Sequence, residues 1–426
     1  MAPKSRELQP QLSNALDQLV DVWFPRVVDY EHGGYRCDFN HRWRGLGPDN
    51  KLLEYQARTL RFAARAAHRY PDLQSAAELG FRFLADIMWD ADQGGWYRMV
   101  DRRGTPLEGS IKHAHGMAYA VSACICYYKL TGSDESLQLA QRGFDWLEKH
   151  AHDSEHGGYY SYFRRDGALI SSSAASGNAR PPLDPLGNPV GFKESNTTVD
   201  LLETFAEFYA VAPSVEVLNR LEELLRIVLD HVIAEPGATH LAFSPSWQPV
   251  PHLNEYAHSL QTARTVIEAS ASFPGGALED AARAAGKNIV DNMLRVAWDH
   301  SRGGFNQAGW AFGPCQIEGV SVYVREKVFW CQAEGMRALS LLARILPDQG
   351  YEDWAKRLWH YIDKYVVDRR RGGWNQKGSD SPGYDRRAAK ASVWKDPGHE
   401  GSALLVALEP GCAGIPVGRT TPGRHE

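Results

Sequence analysis

Six short stretches of this 426-residue chain carry side chains able to handle a small molecule. Glu54 and Arg58 are four apart, as are Asn196 and Asp200, and Trp330 and Glu334, so on a helix each pair shares a face. Gln332 lies between the last two, and His113 with His115, His258 with Gln261, and Trp394 with His399 complete the set. Imidazoles titrate near neutrality and suit proton transfer to and from carbon or oxygen. The carboxylates open a second chemistry, cleavage of a glycosidic bond, if Asp200 faces Glu334 or Glu54 across about 5–10 Å. Each residue also has a structural role open to it. Glu54 and Arg58 can form a helix ion pair, and Asn196-Thr197-Thr198 can cap a helix. His113 can be solvated, His115 can be a buried hydrogen-bonding ring, and Trp330 and Trp394 can be core. No histidine pair within the expected helices has i, i+4 zinc spacing and no carboxylate cage is visible, so no metal is expected.

The elements that hold these residues follow from an internal repeat. Five segments read Asp, three residues, Gly-Gly, aromatic: Asp29 to Tyr35, Asp90 to Trp96, Asp153 to Tyr159, Asp299 to Phe305 and Asp368 to Trp374. Their second glycines are 61, 63, 146 and 69 residues apart, and the double gap leaves room for a worn copy near Glu235-Pro236-Gly237. Each unit runs a helix into the glycine turn, then a short aromatic hairpin, then a polar loop to the next helix. Apolar spacing predicts helices over 6–23, 51–69, 73–88, 112–131, 135–149, 194–211, 215–233, 255–273, 277–296, 325–345, 350–366 and 396–409. Twelve helices in six pairs imply an all-α (α/α)6 barrel, one domain over 1–410, with short β hairpins in its loops. Helices entered from the long loops are inner, and those leading into Gly-Gly turns are outer. The candidate residues sit at the starts of alternate, inner helices, at one mouth of the ring. The polar Pro/Gly stretch 171–190 reads as a lid or an insertion, and 411–426 as a frayed tail.

Composition narrows the function classes. With 47 Lys plus Arg against 52 Asp plus Glu, the net charge of −5 and the absence of a basic block argue against nucleic acid. No run of 18 apolar residues is present, so no membrane span is expected. The N-terminus lacks an apolar signal region, and the six cysteines form no CxxC pair, which together predict a cytoplasmic protein. Thirteen tryptophans suit a ligand with flat apolar faces, such as a sugar ring.

Taken in order, these residues make the chain resemble the N-acylglucosamine 2-epimerase superfamily, which includes cellobiose 2-epimerases and mannose isomerases. The resemblance spans nearly the whole sequence. It rests on Gly33-Gly34-Tyr35, Tyr55-Gln56-Ala57-Arg58, Asn196-Thr197, and Trp247-Gln248-Pro249-Val250 leading to Tyr256-Ala257-His258. Its most specific strings are Lys327-Val328-Phe329-Trp330-Cys331-Gln332-Ala333-Glu334 and Trp394-Lys395-Asp396-Pro397-Gly398-His399. The resemblance implies an (α/α)6 barrel, with His258 and His399 as paired acid/base residues and Arg58 supporting sugar oxygens. It casts Trp330 and Trp394 as stacking aromatics and matches His115 to a histidine of the mannose-isomerase branch. The implied reaction is proton transfer at sugar C2 through an enediolate, without a cofactor, on a small carbohydrate, by a monomer or homodimer. Glu54, Asn196, Asp200, Gln261 and Glu334 join as substrate-binding candidates. Two departures stand out: the pattern Asn-x-His-x-His becomes Asn196, Thr198, Asp200, and His-x2-Glu becomes His258 and Gln261. Redirection to a non-sugar substrate, or to a binding role, is the further alternative these departures raise.

Overall fold

A computed structural model describes residues 8–107, 111–170, 191–250, 253–309, 315–317, 320–322 and 324–409. The stretch 171–190 and the tail 411–426 therefore lie outside the described residues. Twelve α-helices appear among those described: α1 (Gln9–Val27), α2 (Leu53–Ala66), α3 (Leu73–Arg82), α4 (Ala114–Thr131), α5 (Asp134–His150), α6 (Ser195–Tyr209), α7 (Val215–Ile227), α8 (Tyr256–Ser270), α9 (Ala277–Val296), α10 (Phe329–Ile345), α11 (Tyr351–Tyr361) and α12 (Gly398–Leu408). The even-numbered helices contact one another in order, and α12 closes on α2, so they form the inner ring of an (α/α)6 barrel. Their sequences explain the position. All of α2 except Arg65 is buried, whereas the outer α5 buries only one face. No described helix is long and apolar enough to cross a membrane.

Inner helices start a few residues later than their apolar pattern suggests. Lys51–Leu52, Lys112–His113, Lys193–Glu194 and Asn254–Glu255 form two-residue strands just ahead of α2, α4, α6 and α8. Each pairs antiparallel with a hairpin further along the chain, such as Met99–Val100 for the first. This pairing holds the entering backbone extended.

The glycine turns are built alike. Asp29 N–H donates to Gly34 O (3.0 Å) and Gly33 N–H to Asp29 O (2.8 Å), and the same two bonds recur at Asp90, Asp153, Asp299 and Asp368. Gly33 and Gly34 sit at φ +78° and +64°, a region that disfavours side chains. A Cβ on Gly34 would also come within 2.6 Å of Gln56 Oε1.

Each of the five turns is locked by a buried lysine. The ammonium groups of Lys51, Lys112, Lys193, Lys327 and Lys390 lie 3.2, 3.2, 2.6, 2.7 and 2.7 Å from Asp29, Asp90, Asp153, Asp299 and Asp368. The first four also donate to the carbonyl of the turn's first glycine. Four of these lysines precede an inner helix by two residues, so each lock ties that helix to the turn before it. The worn unit differs at both ends. Its turn is Glu235-Pro236-Gly237, and the lysine position ahead of α8 holds Asn254. Asn254 Nδ2 donates to Thr239 O (3.1 Å) and Ser259 Oγ (2.9 Å), a neutral replacement for the ion pair.

Candidate active site

Six helices starting at one level put equivalent positions into layers. The second residues of the inner helices are Glu54, His115, Asn196, Ala257, Trp330 and His399. The sixth are Arg58, Tyr119, Asp200, Gln261, Glu334 and Ala403. The ninth are Arg61, Ser122, Glu203, Arg264, Arg337 and Val406. A hollow has Arg58, Tyr119 and His399 among its upper lining and Arg61, Glu203 and Arg337 below.

The floor is a charged knot. Glu203 accepts from Arg61 (2.5 Å) and Arg264 (2.8 Å), with Arg337 at 3.5 Å, so three helices converge on a fourth. Burial opposes the Glu203 charge, yet the arginines hold its carboxyl well below the usual range.

On one side, His399 Nδ1 lies 2.9 Å from Glu334 Oε1. Burial opposes the Glu334 charge, but Arg337 and His399 bring its pKa down to about 2. A carboxylate only accepts, so Nδ1 carries the hydrogen and Nε2 is left for chemistry. Arg58 Nε lies 2.8 Å from Asp396 Oδ2, while Asp396 Oδ1 accepts from the Gly398 N–H (2.7 Å) at the start of α12. One carboxylate thus positions both Arg58 and the turn that carries His399. Arg58 Nη2 is buried and has no hydrogen-bond partner among the described residues.

On the other side, His258 Nε2 lies 3.3 Å from Glu255 Oε2, a half-exposed neighbour on its own chain segment. Trp330 joins the two sides. Its ring centroid is 5.0 Å from that of His258 and 5.9 Å from that of His399. Both histidines are only partly buried, with side chains 16% and 13% exposed, so each reaches accessible space.

A third group spans α2 to α8. Glu54 accepts from His113 Nδ1 (2.9 Å), with His115 Nδ1 and Arg98 Nε both at 3.5 Å. His115 Nε2 lies 2.8 Å from Asp200 Oδ2, and Asp200 Oδ1 accepts from Gln261 Nε2 (2.7 Å) and the Tyr119 hydroxyl (3.3 Å). Burial works against a charge on His115, but Asp200 and Glu54 outweigh it and raise its pKa to about 9. Glu54, His113 and His115 bring three potential ligand atoms within 4.8 Å of one another. Arg98, 3.5 Å from Glu54, already brings a fixed positive charge to that carboxylate, so a divalent cation fits poorly.

A model of the N-acylglucosamine 2-epimerase (GlcNAc 2-epimerase) family matches residues 181–391. Cellobiose 2-epimerase from Ruminococcus albus is 24% identical over 403 residues, covering 93% of this chain and 96% of that protein. The structure of cellobiose 2-epimerase from Spirochaeta thermophila superposes with a TM-score of 0.81 at 26% identity, covering 95% of this chain and 97% of that one. The chain belongs to the N-acylglucosamine 2-epimerase superfamily. A D-mannose isomerase from Thermobifida fusca is also similar, 24% identical with 84% of this chain and 86% of that protein covered. Membership makes the chain an enzyme of the isomerase class.

Most residues expected at a superfamily site converge: His258, His399 and Trp330 by ring contact, Arg58 through the hollow, and Glu334 beneath His399. Glu54, His115, Asp200 and Gln261 form one buried chain of contacts. Asn196 is half-buried on the first turn of α6 and takes no part in that chain. Trp394 is 42% exposed on the Ser392–Lys395 turn and does not line the hollow. Three structural roles raised by spacing are replaced by others. Glu54 and Arg58 turn to different partners rather than to each other. Asn196 does not cap α6, whose capping residue is Glu194. His113 is buried, stacked on Tyr162 with centroids 4.4 Å apart. Sequence reasoning missed Tyr119, Asp396 and the Arg/Glu floor. The signal available for the floor was a charged residue three positions beyond each sixth-position candidate on α2, α6, α8 and α10.

Proposed function

We propose that this enzyme is a carbohydrate 2-epimerase or aldose–ketose isomerase in which His258 and His399 move the proton at C2. The observation that supports this reading is the placement of two partly exposed imidazoles around one indole, with an unpartnered Arg58 N–H in the hollow that His399 also lines. A proton next to a carbonyl is weakly acidic, so its removal needs a close base and a donor for the developing enediolate oxygen. One imidazole removes the C2 proton from the open-chain sugar, and the Arg58 guanidinium donates to the oxygen that gains charge. Return of a proton to the opposite face of C2 by the second imidazole gives the 2-epimer, whereas return to C1 gives the ketose. Trp330 packs against a face of the sugar between the two rings. The curated relatives named above act on cellobiose and mannose by name, and those sugars are the first substrates to try.

The test is incubation with mannose, glucose, N-acetylmannosamine and cellobiose in heavy water, read by NMR. Solvent deuterium at C2 of at least one sugar is expected, and its absence from all four would remove the proposal. Changing both His258→Gln and His399→Gln should abolish the exchange. The carboxylate-pair hydrolase is disfavoured by the ties each acid makes. Glu334 is held by His399 and Arg337, Asp200 by His115 and Gln261, and Glu54 by its two histidines. Glu334 and Glu54 are both held below the usual carboxylate range, so neither carries the proton that a leaving sugar requires at neutral pH.

A further inference from the structure

The sixth-position layer contains an exchange of charge between two helices. Asp200 on α6 and Gln261 on α8 face each other at 2.7 Å, both almost fully buried. Asp200 is held through both oxygens, one by hydrogen bonds and the other by charge alone. Oδ2 faces the His115 ring nitrogen at 2.8 Å, and Oδ1 accepts from the Gln261 amide and from Tyr119. A carboxylate beside a protonated imidazole accepts hydrogen bonds and does not donate them. The Gln261 side chain is therefore held in one sense, with its NH2 toward Asp200 and its carbonyl oxygen away. That oxygen takes no hydrogen bond from any described residue. Gln261 follows His258 by three residues on α8, so the two residues share a face of that helix.

We propose that Asp200 is a positioning residue that sets the polarity of Gln261, so that an uncharged acceptor beside His258 takes a hydroxyl hydrogen of the substrate. This rests on the proposed sugar chemistry and adds the group that recognises the hydroxyl near the reacting carbon. Arg58 supplies a lone donor and Gln261 a lone acceptor, which together select one arrangement of hydroxyl and carbonyl on the bound sugar. His115 serves the same purpose one step back, because its charge keeps Asp200 an acceptor.

Exchange of the two side-chain types tests the idea. D200N frees the Gln261 amide to turn over and should raise KM and lower kcat/KM roughly tenfold. Q261E sets two carboxylates face to face and should lose at least as much. In the double variant D200N/Q261E, the new asparagine on α6 donates its NH2 to the new glutamate on α8, whose carboxylate still offers one free acceptor oxygen. It should recover kcat/KM to within about threefold of the parent. Its pH profile should also change, with the acid limb moved upward by the new carboxylate next to His258. Losses that simply multiply in the double variant, or a double variant with the parental pH profile, would overturn the proposal. An orientation readout is independent of turnover. In protein with 15N-glutamine, the Gln261 side-chain amide should be protected from hydrogen exchange, and D200N should abolish that protection. Protection that persists in D200N also defeats the proposal, whereas a parent inactive on every sugar with a protected amide would defeat only the function assigned above.

Discussion

The two histidine corners of this site are held by different physics. Around His399 the supports are charged: Glu334 on Arg337, Asp396 on Arg58, and Lys327 between Asp299 and Asp380 at the entrance to α10. Around His258 they are largely neutral. Asn254 stands where other units have lysine, Ser259 and Thr239 complete its bonds, and Gln261 occupies the layer where α10 has Glu334. The carboxylate paired with the His258 ring is the half-exposed Glu255. Charged supports orient strongly but tie a corner to pH and to the survival of each partner. Neutral supports orient less strongly and are indifferent to pH. The difference separates an imidazole with a fixed hydrogen on Nδ1 from one whose two nitrogens are less constrained, a useful asymmetry when one ring removes a proton and the other returns it.

The largest effect should come from breaking a charged entrance. Lys327→Met strands two carboxylates and should cost about 3–5 kcal/mol in denaturant unfolding. Asn254→Ala removes neutral bonds at the matching place on α8 and should cost only about 1–2 kcal/mol. Equal costs would erase the contrast between the corners.

The next effect is on pH. His115 is raised in the fold from an ordinary value of 6.5 to about 9, so its contribution is complete below 6.5 and fades as pH rises through 9. Thermal melts should therefore weaken over that interval by on the order of 3 kcal/mol, and His115→Gln should flatten that part of the curve. Glu334 behaves in the opposite sense. Its value falls from 4.5 to about 2, so its contribution is present above 4.5 and is lost as pH drops toward 2.

Glu334→Gln should lower kcat by about 100-fold with a smaller change in KM, because the hydrogen on His399 Nδ1 loses its fixed acceptor. Glu255→Gln is the matching change beneath His258 and should alter kcat by less than about threefold, as expected of a half-exposed pair. Steady-state kinetics on the sugar that exchanges best measures both, and a larger loss for Glu255→Gln would reverse the assignment of the anchored histidine.

Much of the architecture was readable in one dimension. The Asp-x3-Gly-Gly turns demand glycine for local reasons, and apolar spacing in twelve stretches reports burial directly, so the count and pairing of helices followed. The first-turn candidates were readable because equivalent residues begin each inner helix. Lys51, Lys112 and Lys390 each follow their turn aspartate by 22 residues, a periodicity that could have revealed the locks. Asp396 was not readable, because its partner Arg58 is at the opposite end of the sequence and meets it only when α12 closes on α2. Arg61, Arg264 and Arg337 read as ordinary helix surface until the ring turns them inward onto Glu203.

What the residue order alone determined was therefore periodic: turns, helix faces, and the level at which polar groups enter the barrel. These depend on steric and apolar preferences acting within a few residues. The partner of each charge was decided by the closed ring, since Coulombic and hydrogen-bonding energies fall off over a few ångströms and carry no record of separation along the chain. Glu54 chose His113 and His115, at the entrance to α4, over Arg58, and Asp200 chose His115 and Gln261, because closure places those groups within 3.5 Å and excludes the water that would otherwise have satisfied them.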